Sequence, residues 1–141
     1  MLLYSEKSRS ALRRDGDYSG ALNSKDIVYA ETRQEDTWGD ERLLCRACGQ
    51  TITSPRERID IAGAHRHTFV NPAGIVYEIG CFRNAVGCAF VGPATREWSW
   101  FAGYSWKIVV CGACLTHLGW LYLGEGGGSF YGFILSRLTE T

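Results

Sequence analysis

No apolar run in this chain approaches the roughly 18 residues a helix needs to cross a bilayer, so no membrane partner is expected. Charge of one sign is missing too. Lys and Arg (15) balance Asp and Glu (15), and a formal net charge of +0 removes the general reason to expect nucleic acid as a partner. There is no convincing helical periodicity and no internal repeat, which sets aside bundles and solenoids. Met1-Leu2-Leu3-Tyr4 runs into charged residues without an apolar h-region, so no secretory signal is read and a cytoplasmic location is expected. In that reducing setting, six cysteines suggest metal or redox chemistry before disulfides.

What is present points to β structure. The chain has 141 residues, 45% of them hydrophobic, enough for one domain with a core of its own. Seventeen glycines, 13% aromatics and short apolar runs favour strands joined by turns, an all-β fold of two small sheets. Residues 1–44 hold 16 of the 30 charged residues and no cysteine. Residues 1–42 are therefore read as a polar extension, disordered or loosely docked, in which Ile27-Val28-Tyr29 is a candidate short strand. Residues 43–141 form the domain. Strands are expected at Ile59 to Ile61, His67 to Val70, Ile75 to Ile79, Lys107 to Cys111, Leu118 to Leu123 and Phe130 to Leu138, with Asn71-Pro72-Ala73-Gly74 as a turn. In the third of these, Ile75, Tyr77 and Ile79 share one face. Glu125-Gly126-Gly127-Gly128-Ser129 is a hairpin turn; it lacks the Lys-Ser/Thr and the helix that a phosphate loop requires.

Two CxxC motifs, Cys45/Cys48 and Cys111/Cys114, supply four thiolates in pairs spaced to reach one ion from tight turns. Gly49 and Gly112 suit those turns. This pattern predicts one structural Zn2+ whose filled coordination sphere leaves no position for catalysis. Redox dithiols, or a mixed site using His117, are the alternatives. Cys81 and Cys88 are read as small buried hydrophobes, and His65, His67 and His117 as locally hydrogen-bonded polar residues.

Four of the five tryptophans fall between Trp98 and Trp120. Indole carries an N–H that wants a partner when buried, so it is an awkward core filler and a good wall for a binding site. Trp120 and Tyr122 face the same way on a strand, and Trp100 and Trp106 flank a bend at Ala102-Gly103. An aromatic box is expected, with core aromatics of a sandwich as the bland alternative. Such a box suits a methylated ammonium, with Glu97 as counter-charge. It equally suits a flat neutral ring that hydrogen-bonds to main chain near Trp98 and Ser99.

His67-Thr68-Phe69, Asn71-Pro72-Ala73-Gly74, Glu97-Trp98-Ser99-Trp100-Phe101-Ala102-Gly103-Tyr104-Ser105-Trp106 and Cys111-Gly112-Ala113-Cys114-Leu115-Thr116-His117-Leu118-Gly119-Trp120 together resemble the CULT domain. This is the thalidomide-binding domain family of cereblon, which includes single-domain bacterial proteins. The resemblance runs from about Leu43 to the C-terminus, with Phe130-Tyr131-Gly132-Phe133 fitting the last strand. It implies a β-tent of two antiparallel sheets meeting at an angle and pinned by one zinc. It also implies a non-enzymatic tri-tryptophan pocket of Trp100, Trp106 and Trp120 with Tyr122 at its floor. Main chain of Trp98 and Trp100 would hold an imide, and Asn71 would line the mouth. Expected ligands are small-molecule cyclic imides (glutarimide, succinimide, thalidomide-like compounds), protein C-terminal cyclic imides and uridine-like rings. Trp98 stands where histidine or phenylalanine is usual, which a main-chain contact tolerates. The ligase version carries a Lon-like domain and an adaptor-binding region that 44 polar residues do not supply, so a ubiquitin ligase adaptor is not expected as a partner. B-type methionine sulfoxide reductases share the tent and paired knuckles, but no cysteine follows Cys114, and Cys81 or Cys88 would have to serve as nucleophile.

Overall fold

The computed structural model describes residues 27–29 and 37–140, and their regular structure is all β apart from two 3-10 turns. The strands are β1 (Ile27–Tyr29), β2 (Leu43–Cys45), β3 (Thr51–Thr53), β4 (Arg66–Val70), β5 (Val76–Phe82), β6 (Cys88–Thr95), β7 (Tyr104–Cys111), β8 (His117–Gly124), β9 (Ser129–Ile134) and β10 (Leu138–Glu140). They form two antiparallel sheets. One has seven strands in the order β1-β6-β7-β8-β9-β5-β4, the other three in the order β10-β2-β3. This is the two-sheet architecture expected of a β-tent.

Alternation along the central strands divides the core in two. Trp106, Ile108 and Val110 of β7 join Trp120 and Tyr122 of β8 in an aromatic-rich cluster on one face. Val109 and Cys111 point the other way, into a cluster with Leu118, Phe133, Leu43, Ile52 and Leu138 that welds the small sheet on. Strand β7 is covered on both sides, which is why it reads as a continuous valine-rich run rather than an alternating one. On β5 the expected face is found: Tyr77 and Ile79 are buried while Val76 and Glu78 are exposed.

Two expectations need correction, and one strand goes unmarked in the sequence. Ile59 to Ile61 makes no strand, only isolated bridges, because Ala62 (φ 52°) and Gly63 (φ 89°) turn the chain straight back so that Ile61 pairs with Ala64. Phe130 to Leu138 is not one strand. A 3-10 turn at Leu135–Arg137 carries the chain from β9 in the large sheet to β10 in the small one. Strand β6 was not anticipated, since Gly92-Pro93 reads as a break. The ladder with β7 runs to Val91↔Ile108 and resumes at Thr95↔Trp106, so the intervening irregularity absorbs the proline.

Ile27–Tyr29 does form a strand, pairing with β6 at the edge of the large sheet. The rest of the expected extension, residues 1–26 and 30–36, lies outside the described residues. Trp38, ahead of residue 43, is buried at 1% exposure, and its Nε1–H donates to Glu57 Oε2 at 2.9 Å. Ser54 caps the 3-10 turn Pro55–Glu57, and that turn carries Glu57 inward. There Asn84 Nδ2–H also donates to its Oε1, so the buried carboxylate has two donors.

Candidate functional site

The four CxxC cysteines come together. All four sulfurs lie within 4.8 Å of one another, with Cys45 Sγ 3.7 Å from Cys114 Sγ and Cys48 Sγ 3.6 Å from Cys111 Sγ. A tetrahedron of thiolates at the zinc–sulfur distance has edges of about 3.8 Å, so the set fits one such ion. Both turns use the same main-chain pattern. Cys45 N–H donates to Gln50 O and Gly49 N–H to Cys45 O; Cys111 N–H donates to Thr116 O and Leu115 N–H to Cys111 O. The position that completes each turn is left-handed, Gly49 at φ 85° and Leu115 at φ 63°. Gly112 is needed for a different reason: its N–H donates to Gly87 O, and a Cβ there would lie 2.9 Å from that oxygen.

Burial pushes the Cys45 and Cys111 thiols up, and the neighbouring sulfurs add to it. At Cys114 burial acts the same way, but hydrogen bonds with Thr116, Cys45 and Cys48 together outweigh it and bring the thiol down to about 7. A divalent cation among the sulfurs would favour the thiolate form of all four. His117 is not in this set. Its Nε2–H donates to Gly119 O at 3.0 Å, and burial lowers its pKa to about 4, so the ring is neutral. His65 and His67 likewise bond to nearby main-chain carbonyls, of Ile59 and of Ile61 and Ala64.

Trp100, Trp106, Trp120 and Tyr122 of the aromatic segment are all buried. Trp106 sits opposite Tyr122 across β7 and β8, and Ile108 opposite Trp120, which places Trp106, Trp120 and Tyr122 on one buried face. The loop between β6 and β7 brings Trp100 onto the same face, where it meets Trp120 edge to face with ring centroids 4.9 Å apart. Trp106 Nε1–H donates to Glu97 O at 2.8 Å and so ties its indole to that loop.

Several neighbours went unflagged in the sequence. Phe69 stacks on Trp100 at 4.5 Å, and Tyr77 stands edge-on to Trp120 at 5.4 Å. Phe101 packs edge-on to Tyr122 and Phe130, whose rings stack at 5.0 Å. The inward alternation of β5 marked Tyr77 as buried, but only the fold sets it beside Trp120.

The loop holding Trp98 to Trp100 is braced from within. Glu97 N–H donates to Thr95 Oγ1, Ser99 N–H to Arg96 O, and Phe101 N–H to Ser99 Oγ, which in turn donates to Phe101 O. Trp98 is the exception: no main-chain hydrogen bond within the described residues engages it. It sits at φ 59° with its side chain exposed. Glu97 is also exposed. A cavity of about 290 Å³ opens beside this loop, lined by residues that include Arg96, Trp98, Ser99, Phe101 and Glu125 and by none of Trp100, Trp106 or Trp120. Asn71 is buried, and its Oδ1 accepts from Ala73 N–H and Ile75 N–H, closing the turn between β4 and β5.

Cys81 and Cys88 are buried, at 0% and 1% exposure, and burial pushes both thiols up to about 12. Thiols so protonated are poor nucleophiles.

No family model matches the chain. Over 83 residues, 57% of its length, it is 35% identical to protein cereblon of Xenopus tropicalis. It is 34% identical over 82 residues to protein cereblon of Danio rerio, and 31% identical over 114 residues, 77% of its length, to that of Drosophila willistoni. The chain spans 18%, 19% and 18% of the length of these three relatives. No helix among the described residues is long and apolar enough to cross a membrane.

Proposed function

We propose that this chain, which carries a cereblon-like CULT domain, is a non-enzymatic binding module whose aromatic face takes flat cyclic imides. The ligand class comprises succinimide and glutarimide rings, free or at the C-terminus of a protein, and uridine-like rings. The observation that carries this reading is the convergence of Trp100, Trp106, Trp120 and Tyr122, drawn from one loop and two paired strands onto a single buried face. An indole panel supplies apolar area for the ring faces, and main chain at Trp98, which makes no hydrogen bond among the described residues, supplies polar partners for the imide N–H and C=O. The Trp100 and Trp120 rings meet edge to face at 4.9 Å, so in this reading a bound ring displaces one indole from the other.

The four thiolates hold one Zn2+ in this reading. With its coordination sphere filled, the ion fastens the turn before β8 to the small sheet and takes no part in binding. A methionine sulfoxide reductase activity is not proposed, because Cys81 and Cys88 are buried and protonated. The expectation against a ubiquitin ligase adaptor draws no support from relatives of which the chain covers under a fifth.

Intrinsic tryptophan fluorescence tests the proposal. Succinimide or glutarimide at micromolar to millimolar concentration should change the spectrum saturably, and Trp106→Ala should abolish the change. A spectrum indifferent to millimolar imide, in protein shown to be folded, would remove the proposal.

A further inference from the structure

A second cavity, of about 260 Å³, opens between the small sheet and the β4–β5 side of the large one, and Arg46, Arg58 and Arg66 all line it. Three guanidiniums from three separate segments share this hollow in a chain whose formal net charge is +0. Strand pairing explains how two of them arrive. Arg66 starts β4 opposite Gly80, and Arg58, which ends the 3-10 turn Pro55–Glu57, bridges Phe82. Gly80 and Phe82 are two apart on β5, so Arg58 and Arg66 project to the same side of that strand. Arg46 comes from the small sheet, just past β2. Its Nε–H donates to Ser136 O at 2.9 Å and an Nη2–H to Leu138 O at 3.2 Å, which fixes this guanidinium in place before any ligand arrives. Arg66 makes one long contact, 3.4 Å to Glu78, and among the described residues Arg58 has no side-chain hydrogen bond or ion pair. The one acidic residue in the lining is Glu140, whose side chain is exposed.

Like charges gathered around one hollow repel, and an anion between them turns that repulsion into attraction. We propose that this cavity binds a phosphate monoester, at a site separate from the aromatic face. Three guanidiniums against one carboxylate leave an excess of two positive charges in the lining. A monoester near neutral pH carries close to two negative charges and presents three acceptor oxygens, so it can engage all three arginines at once. A monocarboxylate brings one charge and two oxygens, and leaves at least one guanidinium without a partner. The two cavities share no lining residue, so the proposal stands or falls independently of imide binding.

Calorimetric titration of the full chain with phenyl phosphate and with benzoate, near neutral pH and at low ionic strength, tests the site. Phenyl phosphate should bind once per chain and more tightly than benzoate, should raise the Tm, and should weaken as salt is added. Arg58→Gln should weaken it about tenfold, the effect of one lost charge-assisted hydrogen bond, and leave the unliganded unfolding midpoint in place because Arg58 has no partner to lose. Arg66→Gln should do the same, giving up only an exposed ion pair. Glu140→Gln should act in the opposite direction and tighten binding a few-fold. Lys107→Gln removes an equal charge from above the Phe90 ring, outside this lining, and should leave the affinity unchanged. N-acetyl-phosphoserine amide, titrated in parallel, separates the two sources of a monoester: the tighter ligand points to a free ester or to a phosphorylated side chain. No binding of phenyl phosphate, by heat or by Tm, or equal losses in Arg58→Gln and Lys107→Gln, would overturn the site. Benzoate held as tightly as phenyl phosphate would overturn the assignment to phosphate.

Discussion

Cys45 meets Cys114 at 3.7 Å, and this contact joins the first strand of the small sheet to the turn that leads into the strand bearing Trp120 and Tyr122. A metal bound there couples two elements that also share the apolar cluster around Leu43, Leu118 and Phe133. Binding energy of a structural zinc is on the order of 10 kcal/mol or more, comparable with the whole stability of a domain this size. Purified protein is expected to carry one zinc per chain by elemental analysis. Chelation, or Cys45→Ser, should abolish the cooperative thermal transition and the near-ultraviolet circular dichroism of the indoles. A chelated protein that keeps both would refute the coupling.

Gly119 makes a second prediction. It follows the irregularity between Val109 and Val110 in the β7–β8 ladder and immediately precedes Trp120. A Cβ there would lie 2.0 Å from Gly132 O, far inside contact distance and against backbone that cannot swing away. Gly119→Ala must push β8 off β9 beneath the aromatic face. The expected loss is at or above the usual ~1–3 kcal/mol of an overpacked core, read by urea denaturation. Gly126→Ala, in open space on the β8–β9 turn, should be near neutral.

The Trp38–Glu57 bond bears on where the folded unit begins. A chain cut to start at residue 43 loses a buried indole and strips one of two donors from a buried carboxylate. Removing a core tryptophan costs about 3–5 kcal/mol, so this chain should unfold at clearly lower urea than one starting at residue 37. Equal midpoints would show Trp38 to be dispensable.

Local chemistry made much of the site legible. Period-two spacing put Trp120 and Tyr122 on one face, paired CxxC motifs drew four sulfurs together, and Asn71 sits where a side-chain carbonyl can close a turn. What escaped depends on pairing between distant segments. Tyr77 reaches Trp120 only because β5 lies next to β9, and β9 next to β8, an order no local pattern encodes. Trp38 sits in a charged stretch whose composition outvotes one indole, and β6 hides behind a proline that its ladder loops out. Asn71 illustrates a further limit: its identity was visible, but not that its oxygen is already spent on Ala73 and Ile75.

His117 predicts a pH dependence. Burial holds its folded pKa at about 4 against 6.5 when unfolded, so between these values the unfolded chain takes up a proton that the folded one refuses. Its contribution is complete above about pH 6.5 and is lost as pH falls toward about 4, on the order of 3 kcal/mol from the 1.36 kcal/mol carried by each pKa unit. Urea unfolding between pH 7 and pH 4.5 should show stability falling with acidity, and His117→Gln should flatten the slope. Because any metal is also released by acid, the comparison of slopes, not the wild-type curve alone, is the measurement that decides.

Trp98 separates main-chain from side-chain recognition. An L-residue in the left-handed region costs roughly 1–2 kcal/mol, a strain glycine does not feel. Because Trp98 is 41% exposed at φ 59°, its replacement forfeits little buried area. Trp98→Gly should therefore leave the unliganded protein as stable as wild type or slightly more so. If the imide is held by the main chain of this residue, succinimide affinity should stay within a few-fold of wild type, the remaining loss reflecting a more flexible loop. Trp98→Ala, which removes the same indole but keeps the strained backbone, should bind at least as well as Trp98→Gly. A tenfold or greater loss in both variants, with unchanged unfolding midpoints, would show that the indole itself holds the ring, and the contact would then belong to the exposed side chain beside the Arg96–Glu125 cavity.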